Sequence, residues 1–114
     1  MRIWDLPAKD LCRKHLLGEH RELHAIWSIY INDRQGYRNH PETKRWAGKL
    51  KALFARHEAL VHELGQRGYS HHSELDKSLA VGSEIQTQLI NSKQEQRNIL
   101  REKPCSCFVK LEKA

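Results

Sequence analysis

The chain has 114 residues, of which 39% are hydrophobic and 30% charged, and its net charge is +6. That length suits one domain with its own core. No apolar run approaches the ~20 residues that span a bilayer as a helix, and the first residues lack the apolar centre of a signal peptide, so neither a membrane-spanning helix nor a secretory leader is expected.

The three cysteines are an odd number and do not form a closed disulfide framework, so a reducing, intracellular setting is expected. The basic excess is uneven. Residues 1–60 hold 12 basic and 7 acidic side chains, whereas residues 61–114 hold 8 and 7. A surface with this imbalance favours a polyanionic partner.

Pro7 marks the end of a short N-terminal arm, residues 1–7. Over residues 8–30 the apolar positions Cys12, Leu16, Leu23, Trp27 and Tyr30 share one helical face. The polar stretch Asn32-Asp33-Arg34-Gln35-Gly36 predicts a loop. Pro41 suits the first turn of a second helix. Trp46, Leu50, Leu53, His57, Leu60 and Leu64 continue its apolar repeat to a C-terminal stop at Gly68.

Ser83-Glu84-Ile85-Gln86 has the form of a capping box. It predicts a third helix to about residue 102, anchored by Ile85, Leu89 and Ile99, with residues 103–114 as a tail after it. Nothing alternates with a period of two for long enough to predict a strand. The expected fold is therefore all-α: three main helices in a single compact domain spanning 1–114, with the N-terminal arm packed between them.

The first helix carries an unusual polar stripe. His15, Glu19 and Glu22 are spaced i, i+4, i+7 and border the face of Leu16, Leu23 and Trp27. Carboxylates beside a core are costly unless partnered. A structural ion pair with a basic residue from elsewhere explains them, and so does a chemical role. Arg21 lies on a different side of the helix from Glu22 and is a candidate phosphate contact. Trp4, Trp27 and Trp46 are expected in the core, with Trp4 locking the arm.

The residues Met1-Arg2-Ile3, His15-Leu16, Glu19, Arg21-Glu22-Leu23, Lys49-Leu50, Leu53, Arg56 and Arg67-Gly68-Tyr69 follow one another in a specific order. Through them the chain resembles the pyrimidine-dimer DNA glycosylases of the phage endonuclease V type, over about its first 70 residues. The resemblance implies a small helical enzyme that cuts the glycosidic bond at cyclobutane pyrimidine dimers in duplex DNA. It then nicks the abasic site by β-elimination through a Schiff base, with no metal and no cofactor.

By position, the nucleophile is the α-amine of Met1 and the essential carboxylate is Glu22, and Arg2, His15 and Arg21 fall to DNA contacts and positioning. Lys14, as a neighbouring lysine, and His24, as a polar group at the rim, are further candidate phosphate contacts, and the enzyme is expected to work as a monomer without a membrane. The chemistry suits the chain end. An unperturbed α-amine has a pKa of ~7.7–8.0 against ~10.4 for lysine, so far more of it is neutral and nucleophilic at neutral pH. Arg2 is too large for the usual removal of an initiator methionine, so Met1 is expected to stay.

Other readings compete. A glycosylase or lyase for another lesion would use the same parts, and a DNA-binding module without catalysis would need only the charge and the helices. Cys105-Ser106-Cys107 with His71-His72 would supply four zinc ligands, although the spacing is no standard finger. His20 and His24, at i and i+4, could ligate a metal on a helix. The basic residues Lys93, Arg97 and Arg101, four apart, could track a phosphate strand or form a solvated face.

Overall fold

The computed structural model describes residues 2–70, 73–105 and 107. Its helices are α1 (Arg13–Ile31), α2 (Pro41–Lys44), α3 (Leu50–Gln66) and α4 (Lys93–Arg101), with short 3-10 turns at Ala8–Asp10 and Lys77–Leu79. Three main helices pack together in an all-α arrangement, and no strand occurs among the described residues. No helix there is long and apolar enough to cross a membrane. The packing of α1 on α3 dominates the interior.

The core joins Leu16, Leu23, Ile26 and Trp27 of α1 to Leu53, Leu60 and Leu64 of α3, with Trp46 and Leu100 at its margins. These are the apolar positions that helical spacing singled out on the first two helices. All three tryptophans are buried. Into this core run Ile3, Trp4 and Leu6 of the arm. Burying such side chains contributes roughly 1.5–3 kcal/mol each, so the arm is part of the hydrophobic structure.

The helix boundaries differ from expectation at three places, each for a tertiary reason. The first helix begins at Arg13, not residue 8, because Leu11 and Cys12 are extended. The Leu11 carbonyl accepts from Arg67 Nη2 at 2.6 Å instead of from a helical N–H.

The second helix is split between α2 and α3 by a turn around Gly48, which has φ +70°. Segment 81–83 docks there. The Val81 and Ser83 carbonyls accept from the Lys51 and Ala52 amides, two donors that the start of α3 would otherwise leave unsatisfied, and Ser83 N–H donates to the Gly48 carbonyl. Gly68, with φ +88°, ends α3 as expected: Tyr69 N–H reaches back to the Leu64 carbonyl and Gly68 N–H to that of Gly65, a Schellman closure.

That docking also explains the third difference. Ser83 uses its backbone groups on α3 and cannot start a helix, and its hydroxyl accepts from Ile85 N–H in a local turn. Ile85 is 65% exposed, and Leu100 is the buried anchor instead. The capping box is formed nine residues later. Glu95 N–H donates to Ser92 Oγ, and Ser92 N–H donates to Glu95 Oε1. Its sequence signal, Ser-x-x-Glu, is equally present at 92–95.

Gly82 is the tightest point of this junction. Its φ is +87°, and an added Cβ would lie 2.2 Å from the Gly48 oxygen. Gly82→Ala should therefore lower stability by at least ~2 kcal/mol, measured by urea unfolding. Gly18→Ala, in mid-α1 where a Cβ meets nothing within 4 Å, should instead raise it by up to ~1 kcal/mol.

Candidate active site

The arm is held by successive backbone amides, each donating to a side chain from a different helix. Ile3 N–H donates to Glu42 Oε1 of α2 at 3.1 Å, and Trp4 N–H to Glu19 Oε1 of α1 at 3.0 Å. Asp5 N–H donates to Gln96 Oε1 of α4 at 2.7 Å. The extended arm has no partner strand among the described residues, so these side chains satisfy amides that a buried chain cannot leave open.

Two arginines complete the clamp. Arg56 of α3 donates to Glu19 through Nε at 2.6 Å and Nη2 at 3.0 Å, and its Nη1 reaches the Leu6 carbonyl at 2.7 Å. Arg45 donates to Glu42 Oε1, to both carboxylate oxygens of Asp5 and to the Ile3 carbonyl. Glu19 is 2% exposed and Glu42 fully buried. Burial pushes the Glu19 carboxyl above its ordinary value, while the Arg56 guanidinium and the Trp4 amide pull it down.

Glu22 lies one turn further along α1 and differs in kind. It is half-buried, and it makes no hydrogen bond or ion pair among the described residues. The two carboxylates of the stripe therefore divide the two explanations offered for them: Glu19 is a structural ion pair, and Glu22 is left available. Lys14 and Arg21 are exposed on the same helix, and neither has an ionic partner among the described residues.

Between them Gly18 carries no side chain, and apart from its chain neighbours and its own helix backbone no described atom lies within 4 Å of where a Cβ would be.

The other site expectations separate. Arg2 is half-buried, its guanidinium 4.6 Å from the Trp4 ring centroid and its Nε buried without a hydrogen-bond partner. His15 faces sulfur: its Nδ1 is 3.2 Å from both Cys12 Sγ and Cys107 Sγ, with the Trp4 ring edge-on to it. Burial, then Lys103 and Lys14, lower its pKa.

His24 Nε2 lies 3.2 Å from His20 Nε2 and 3.1 Å from His57 Nε2, so its ring is turned toward two other imidazoles. Met1, His71 and His72 lie outside the described residues. The competing zinc reading of Cys105 and Cys107 with His71 and His72 therefore falls partly outside the described residues; among those described, Cys105 and Cys107 lie beside Cys12 and His15.

Sequence reasoning missed Glu42, Arg45 and Gln96 altogether and took Arg56 only as a point of resemblance. Glu42 and Arg45, at i and i+3 behind Pro41, do have the spacing of a helical ion pair. Gln96 gave no signal, because a glutamine on a polar helix is unremarkable until its partner is known.

The division between the two glutamates is testable by equilibrium unfolding. Arg56→Met strands the buried Glu19 charge and should cost about 3–5 kcal/mol. Glu22→Gln should change stability by no more than ~0.5 kcal/mol. Equal losses would contradict the distinction.

Residues 1–77 match the family described as pyrimidine dimer DNA glycosylase. No curated protein and no solved structure matches the chain. The matched span contains the arm, the whole of α1 with Glu19 and Glu22, and the arginines that clamp the arm. With some two-thirds of its length inside that match, the chain belongs to the pyrimidine dimer DNA glycosylase family.

Proposed function

We propose that this protein excises cyclobutane pyrimidine dimers from duplex DNA and nicks the resulting abasic site, with the α-amine of Met1 as nucleophile and Glu22 as the acid–base group. It acts as a monomer inside the cell. The observation that carries this reading is the clamped arm. Ile3, Trp4 and Asp5 are each tied by a backbone amide to a side chain of a different helix, and the Trp4 tie is to Glu19, one turn before Glu22 on α1. Two residues of chain span at most ~7 Å, which bounds the distance of the first amine from the Ile3 nitrogen. Glu22 is three residues beyond Glu19, a rise of about 4.5 Å.

The steps follow from those groups. The neutral amine attacks C1′ of the 5′ nucleotide of the dimer as the glycosidic C1′–N bond breaks, and the departing base keeps the bonding pair. Loss of a proton from nitrogen and opening of the C1′–O4′ bond give the cationic imine, which the Glu22 carboxylate stabilises. Glu22 then takes a C2′ proton; the electrons form the C2′–C3′ double bond and expel the 3′ phosphate. Water hydrolyses the imine and returns the amine.

Lys14, Arg21 and Arg2 supply cationic charge for phosphates. The dimer weakens local pairing, so opening the duplex costs less there than elsewhere.

Borohydride reduction should trap the protein covalently on DNA carrying a dimer and should leave undamaged DNA unlinked. Glu22→Gln should keep binding and lose strand cutting by about 100-fold or more. Chemical acetylation of the α-amine should abolish both trapping and cutting; cutting by fully acetylated protein would refute the assignment of the nucleophile. Arg21→Ala should weaken binding and make the slope of log affinity against log salt about one unit shallower, measured by fluorescence anisotropy.

A further inference from the structure

We propose that Cys12, His15, Cys105 and Cys107 form a structural zinc site that ties the end of the chain to the start of α1. The four candidate donor atoms lie within 4.8 Å of one another. His15 Nδ1 is 3.2 Å from the sulfurs of Cys12 and Cys107. A tetrahedral zinc with Zn–S near 2.3 Å and Zn–N near 2.0–2.1 Å requires donor–donor edges of roughly 3.5–3.8 Å, so shifts of a few tenths of an ångström to about an ångström create the site. Three cysteines and a histidine are a closed structural set, with no position left for water or substrate. A sulfur-rich tetrahedral set favours zinc and excludes calcium and magnesium, which take oxygen.

Two features of the surroundings fit a thiolate-bound cation. Cys12 occupies the N-cap of α1, where its side chain makes no capping bond and no acidic residue sits in the first turn. The partial positive charge of that helix end stabilises a thiolate. The Cys12 amide donates to Cys107 Sγ at 3.1 Å, the kind of outer hydrogen bond that supports a metal-bound sulfur. Zinc with three thiolates carries a net charge of −1, and Arg13, Lys14 and Lys103 bring the opposite charge to this end of the molecule. Arg13 and Lys14 line a shallow pocket with Cys12, Leu17, Pro104 and Cys105, which gives an ion a path in. None of the three cysteines is in a disulfide.

The ligands come in two pairs, Cys12-x-x-His15 and Cys105-x-Cys107. The first lies inside the family match and the second beyond it. The site is therefore independent of the catalytic reading. It nevertheless bears on the same region: the His15 ring lies edge-on against Trp4, whose amide is held by Glu19, so a metal would brace the wall on which the arm rests.

The test uses the full-length, untagged protein. After incubation with zinc and desalting, elemental analysis should find one zinc per chain. The Cys105→Ser, Cys107→Ser double variant should lose it, and its melting temperature should fall by about 10 °C, as should that of the chelated wild type. Cobalt in place of zinc should give thiolate-to-metal charge transfer and the intense visible bands of a tetrahedral centre, a readout that holds even if the double variant does not fold. Wild type that retains no zinc would overturn the proposal. So would a cobalt spectrum without thiolate bands, or zinc retained by the double variant, which would put the metal on His20, His24 and His57 instead.

Discussion

The structure depends on a few buried charge pairs that hold an extended arm inside a helical protein. Glu19 with Arg56, and Glu42 with Arg45, each take backbone groups of the arm as well as each other. Buried ion pairs are weak sources of stability on their own, because desolvation offsets the attraction. Their value here is positional. The pairs satisfy amides and carbonyls that would otherwise be orphaned, so the arm has one low-energy placement between the helices. A few apolar contacts alone would allow it to slide.

The same logic separates residues of identical type. Arg45, Arg56 and Arg67 direct their guanidinium groups at carboxylates and carbonyls of their own chain. They belong to the architecture, although they add to the basic count that favours a polyanion. Arg21 and Lys14 are exposed on α1, and neither has an ionic partner among the described residues. Glu22, half-buried on the same helix, makes no hydrogen bond or ion pair among the described residues, and in this it differs from Glu19.

Where sequence expectation and structure part, a distant acceptor or donor is responsible. The first helix starts late because Arg67 takes the Leu11 carbonyl. The third starts late because Ser83 is engaged at the head of α3. In both places the local pattern was helical enough, and the competing hydrogen bond came from a segment dozens of residues away. By contrast the apolar repeats of α1 and α3, the three buried tryptophans and the glycine stop at Gly68 were legible, because each follows from spacing within a turn or two.

The sequence by itself determined the helical class, the core faces of the first two helices, the basic first half, and the placing of Glu19 and Glu22 on one stripe beside that core. Those are local properties of a chain with 3.6 residues per turn. Tertiary structure decided which of those glutamates is neutralised, since Arg56 is 37 positions from Glu19. It also decided that Gln96 would hold the arm from 91 positions away, and that Cys107 would meet Cys12 across 95. No period or motif encodes such meetings; they exist only once burial of the apolar faces has brought the helices together.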